Sequence, residues 1–150
     1  MVPKIVNSCR NTRIPADAVR AGTYGNDPVF VGRAKHKDSL QVGMVTMAKE
    51  GLVVLYDGKP VLFREYEVLC GPAGKYKWIE ARGRFNPKDI KDGKPLACGH
   101  EKSGEALYAA VTSVHGRDYV GKAGAKIKGM VYPHKGGEDK TKTYVVLCEH

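Results

Sequence analysis

The stretch Ala97 to Lys122, ACGHEKSGEALYAAVTSVHGRDYVGK, holds an acid early, Glu101, and a lysine late, Lys122, 21 residues further on. A carboxylate only accepts hydrogen bonds and an ammonium only donates them, and bonds to either are charge-assisted. Brought together, the two would grip adjacent hydroxyls, each of which donates and accepts, as on a hexose ring. An altered copy of the stretch lies earlier in the chain, Ala21 to Met44, AGTYGNDPVFVGRAKHKDSLQVGM. At an offset of 78 residues the two keep a small-residue turn, an apolar strand with an aromatic in the same place (Phe30, Tyr108) and a closing Val-Gly pair (Val42-Gly43, Val120-Gly121). They differ at the polar positions: the first copy offers Thr23 or Tyr24 in place of the acid and Met44 in place of the lysine, so it should lack the pair.

Other chemistry finds less support. Gly116 to Lys122 fits the first seven positions of a phosphate-binding loop, but Ala123 follows where a magnesium-binding Ser or Thr is needed, and no long helix comes after it. A strand is the better reading. The five histidines and four cysteines show neither CxxC nor HxxxH spacing, with Cys98-x-His100 the nearest approach, so no metal is expected. No Ser/His/Asp order or paired-carboxylate motif stands out. The expectation is a protein that is not an enzyme and needs no cofactor, and calcium should be dispensable because no cluster of oxygen ligands is present.

The elements that must position Glu101 and Lys122 read as β-strands. Lys4 to Ser8 is short and β-branched, Ile14 to Val19 reads as a single helical turn begun by Pro15, and strands follow at about Val29 to Lys35, Gln41 to Ala48, Gly51 to Tyr56 and Arg64 to Cys70. Asp57-Gly58 is a hairpin turn signal. After Gly71-Pro72-Ala73-Gly74 the pattern restarts: Lys77-Trp78-Ile79 matches Lys4-Ile5-Val6, a second short helix is expected at Pro87 to Asp92, and the offset of 78 holds without a gap from Asp27/Glu105 to Cys70/Cys148. Tyr66-Glu67-Val68-Leu69-Cys70 returns as Tyr144-Val145-Val146-Leu147-Cys148. The expected architecture is all-β: two tandem repeats, residues 1–72 and 73–150, packed face to face into one compact, sandwich-like body with a pseudo-twofold relation.

At 150 residues, 42% hydrophobic and 27% charged, the chain can bury a core. Its longest apolar runs fall far short of the roughly 20 residues of a membrane helix. The first residues, MVPKIVNSCRNTRIP, lack the apolar run of a secretory signal, which points to the cytoplasm or to export without a signal peptide. Reduced thiols are then expected at Cys9, Cys70, Cys98 and Cys148, with Cys70 and Cys148 as small buried side chains ending matching strands. The net charge of +9 would attract nucleic acid, anionic lipid or acidic glycans, but the basic residues are scattered with no block of five or six, and no nucleic-acid partner is expected.

Cys98-Gly99-His100-Glu101 and Gly121-Lys122 resemble the two signature corners of the DM-nine repeat family, whose repeat runs approximately as a proline-begun turn, AGxDxDGxxLYVGRA, PGKV and YEVLV. This chain reads IPADAVRAG, PVFVGRA, VGMV and YEVLC, then GHEKSGEALYAAV, VGKA and YVVLC. The resemblance implies an all-β, often dimeric lectin that binds mannose or mannose-containing glycans in innate defence, with a homodimer among its partners. It also implies a sugar site built from the acid and lysine of the two corners, here Glu101 and Lys122, with Glu in place of the family's Asp. His100, Tyr108 and Tyr119 are further candidates, the tyrosines as apolar faces for a sugar ring, against core or cross-strand roles. The alternative is a basic module for anionic polymers or membrane lipid.

Overall fold

The computed structural model of the chain describes residues 14–72 and 74–150 with their side chains and residues 4–8 as backbone. Cys9 and Ala73 of the Gly/Pro link lie outside the described residues. Among the described residues fifteen strands run in order: β1 (Lys4–Ser8), β2 (Arg20–Tyr24), β3 (Asp27–His36), β4 (Ser39–Thr46), β5 (Gly51–Tyr56), β6 (Lys59–Phe63), β7 (Tyr66–Cys70), β8 (Tyr76–Arg82), β9 (Lys94–Pro95), β10 (Ala97–His100), β11 (Ala106–Val114), β12 (Arg117–Gly124), β13 (Met130–His134), β14 (Gly137–Thr141) and β15 (Thr143–Glu149). All are hydrogen-bonded into one antiparallel network. The fold is all-β.

The two expected helical turns come out differently. At Pro15 the chain makes one turn, Ala18 N donating to Pro15 O at 3.1 Å, and is then drawn into the sheet, since Val19 N donates to Leu69 O at 2.8 Å and Ala18 bridges to Cys70. The single turn expected there ends where pairing with β7 begins. The later one is a single 3-10 turn, Pro87–Asp89, capped by Asn86 Oδ1 accepting from Lys88 N at 3.0 Å. A further 3-10 turn, Met47–Lys49, takes the end of the strand expected to reach Ala48.

Strand pairing recurs at the offset seen in the sequence. Phe30 opposite Val45 in β3/β4 becomes Tyr108 opposite Ala123 in β11/β12, and Met44 opposite Val53 in β4/β5 becomes Lys122 opposite Val131 in β12/β13. Gly32 opposite Val68 becomes Ala110 opposite Val146, and Ile5 opposite Leu69 becomes Trp78 opposite Leu147. The two sets of strands are joined where His100 of β10 pairs with Leu40 of β4, and at the related place Thr23 N donates to Asp118 Oδ2 at 2.8 Å.

Their inner faces share one core, in which Val29, Val42 and Met44 from β3 and β4 pack with Leu107, Val120 and Met130 from β11 to β13. Each such side chain, fully buried, contributes about 1.5–3 kcal/mol, so neither set keeps its apolar face dry alone. Cys70, Cys98 and Cys148 are buried, with Sγ directed at the carbonyl two residues back, Val68, Leu96 and Val146.

Candidate functional site

Two-residue hairpins build the walls of a wide cleft. At Lys37-Asp38 and Asp57-Gly58 both residues take positive φ (47° and 65°, 54° and 76°), the left-handed geometry that lets a hairpin close in two residues with the twist of its strands. The tips thereby present Lys37 and Asp57 to a cleft of about 750 Å3, with Tyr56 beside them and the 101–104 loop opposite. That loop is closed by Glu101 N donating to Glu105 O and Gly104 N to Glu101 O, both at 2.9 Å. Glu101, Lys102 and Ser103 line one side, and Lys122 completes the lining.

Lys122 reaches this position because Gly121 lets β12 lie very close to β13. A Cβ at Gly121 would stand 1.9 Å from Val131 O, and one at the related Gly43 would stand 2.1 Å from Val53 O. The Val-Gly pair that closes both copies is therefore a packing requirement.

The structure brings the two candidates together. Lys122 Nζ lies 3.6 Å from Glu101 Oε1. Between them sits Gln41, wholly buried, whose Oε1 accepts from Lys122 Nζ at 2.7 Å and whose Nε2 donates to Glu101 Oε1 at 2.8 Å and to Ser39 Oγ at 3.0 Å. The reverse orientation of that amide would set NH2 against ammonium and carbonyl against carboxylate, so its neighbours fix it. Ser39 Oγ in turn donates to His36 O. Lys122 is only 8% exposed, and burial pushes its ammonium below the ordinary lysine value, opposed by the charge and hydrogen bond of Glu101. Glu101 stays accessible, and its Oε2 has no partner among the described residues.

The remaining candidates lie elsewhere. His100 is exposed on β10, its Nδ1 3.0 Å from Glu101 O. Tyr108 packs on Phe85, ring centroids 4.8 Å apart. Tyr119 is buried and belongs to a different cleft, of about 420 Å3, where it meets Tyr24 edge-on at 5.5 Å and His134 at 5.3 Å. Met44 lines that second cleft too.

Sequence reasoning missed Gln41, Lys37, Tyr56 and Asp57. Gln41 carried one signal: at the offset of 78 it is a polar residue standing where the second copy has Tyr119, beside the apolar Leu40 and Val42. Among the described residues no three His, Cys, Asp or Glu side chains gather as a metal site, and no helix is long and apolar enough to cross a membrane.

A family model described as the DM9 repeat matches the chain twice, over residues 7–61 and 24–141. No curated protein matches it.

Proposed function

The chain belongs to the DM9 repeat family, and on that footing we propose that it is a calcium-independent lectin for mannose-type glycans, with Glu101 and Lys122 holding the sugar. Membership supports a binding-module role. The observation that carries the finer reading is the Gln41-bridged pair lining an open cleft whose volume falls within the roughly 300–1,000 Å3 of small-molecule sites.

The chemistry follows from what each group has left to give. Lys122 Nζ has three donors, one used on Gln41 and one directed at Glu101, so one remains for a hydroxyl oxygen. Glu101 Oε2 accepts from the same or the neighbouring hydroxyl. Gln41 is occupied on both sides and acts by holding the pair in place. Tyr56, edge-on to His36 at 4.5 Å and with Lys37 Nζ 5.7 Å from its ring centroid, is held rigidly beside them as an apolar wall.

The division into repeats at 1–72 and 73–150 is part of the proposal. It rests on the recurring strand pairs, since the two family matches overlap and draw no boundary there. One pair per chain makes monomeric binding weak, so a homodimer would supply avidity toward a glycan surface, in keeping with a role in recognising foreign cells.

Glycan-array binding at about 50 and 200 mM salt, with and without EDTA, tests the reading. Retention on mannose-bearing glycans under all four conditions supports it. Binding to polyanions alone, collapsing at the higher salt, would favour the basic-module alternative.

A further inference from the structure

The second cleft stands where the offset of 78 places a counterpart of the Glu101 cleft, with its chemistry exchanged position by position. Met44 replaces Lys122, Tyr119 replaces Gln41, His134 replaces Tyr56 and Lys135 replaces Asp57. The hairpin tip is the same, Lys135-Gly136 having φ of 51° and 76°. The acids have gone from the lining and cations stand in their place.

Lys49 Nζ lies 5.1 Å and Arg117 Cζ 4.9 Å from the centroid of the Tyr24 ring, which places two positive charges on one aromatic wall. Neither they nor Lys135 form an ion pair with any described residue. Two nearby acids are already engaged: Asp118 accepts from Thr23 N and from Ser113 Oγ, and Asp139 pairs with His134 at 3.3 Å. The cleft thus has apolar and aromatic walls and no acid in its lining to answer three cations. Its cations lack an oxyanion.

We infer that this cleft is a second ligand site with the opposite charge preference, taking a carboxylated or sulfated saccharide. The ring lies over Pro60 and Leu62, the accessible apolar residues of the lining, with Tyr119 and Met44 buried beneath, and the oxyanion meets Arg117, Lys49 and Lys135 through charge-assisted bonds, bidentate at the guanidinium. The choice of a saccharide rests on reading the Glu101 cleft as a sugar site, while the charge preference stands on this cleft alone.

The test is a two-dimensional amide NMR titration of the full 15N-labelled chain with glucuronate, glucose 6-sulfate, uncharged glucose and methyl α-mannoside. Glucuronate, the sulfate, or both should shift Tyr24, Arg117, Tyr119 and Lys135 saturably, and glucose should not. Arg117→Gln should weaken that binding about tenfold, whereas Lys88→Gln, the same charge change at the remote 3-10 turn, should leave it unchanged. Shifts confined to the Glu101 cleft, no saturable shift with either anion, equal response to glucose, or equal loss in Lys88→Gln would overturn the inference. The two sites fail separately: anion shifts here with no response to methyl mannoside would sink the mannose reading and leave this one, and the reverse result would do the opposite.

Discussion

Gln41 Oε1 accepts a hydrogen bond from Lys122 Nζ at 2.7 Å although the two residues stand 81 positions apart in the chain. The bond ties the lysine of one set of strands to the buried amide of the other, so the bridge that orients Lys122 and Glu101 forms only when both sets are assembled. Replacing Gln41 with Leu leaves a buried ammonium and one carboxylate oxygen short of a partner. We expect a stability loss of about 1–3 kcal/mol, together with weaker mannoside binding. Urea melts with an unchanged midpoint and an unchanged affinity would show that Gln41 holds nothing in place.

Lys122 also sets a pH signature. Because burial lowers its folded pKa, the ammonium loses its proton below the ordinary lysine value of 10.5, and sugar binding should fall as pH rises through that window. Stability moves the other way. Over the same window the unfolded chain binds more protons at this residue than the native one, so its contribution to folding grows with pH. Measured as the difference between the parent and Lys122→Gln, which removes the changes shared by the tyrosines, the parent should gain stability while it loses affinity. Parallel loss of both would contradict the assignment.

Much of this was legible in the chain. Glu101 and Lys122 stood out because a charge appears where the earlier copy has none, and the matching Tyr66 and Tyr144 strands gave the repeat its period. What could not be read was the contact between the two sets. Gln41, Lys37 and Asp57 enter the cleft because His100 pairs with Leu40, a long-range bridge that leaves no local pattern. β6 went unread because Pro60 in a five-residue strand looks like a turn, although it is compatible with a place at the margin of a sheet. The turn at Pro15 was decided by β7, whose carbonyls compete for the same amides.

Gly121 supplies a packing test. An alanine there would drive Cβ into Val131 O, and no flexible side chain is in the way to give. Gly121→Ala should cost at least about 1–3 kcal/mol and displace Lys122 from Gln41. Gly137→Ala is the control, since its Cβ would meet nothing within 4 Å. Thermal melts in which both variants match the parent would remove the close approach as the reason for the Val-Gly pair.

The shared core predicts that a fragment from Lys75 to His150 does not fold. Leu107, Val120 and Met130 would lose their cover from Val29, Val42 and Met44, a loss comparable with the whole 5–15 kcal/mol or so of a typical domain. Circular dichroism should show no cooperative transition. A sharp one would mean that the second set of strands is a domain in its own right.

Calorimetric titration of the intact protein with methyl α-mannoside, alongside Glu101→Ala and Lys122→Ala, tests the central claim most directly. The parent should bind at one site in the presence of EDTA. Each alanine variant should lose a charge-assisted bond of about 1.5–3 kcal/mol, a fall of roughly 10- to 100-fold in affinity. Glu101→Asp should be milder, and Met44→Lys alone should add no second mannoside site, because the acid is still missing there. Alanine variants that fold and bind the mannoside as tightly as the parent would contradict the account.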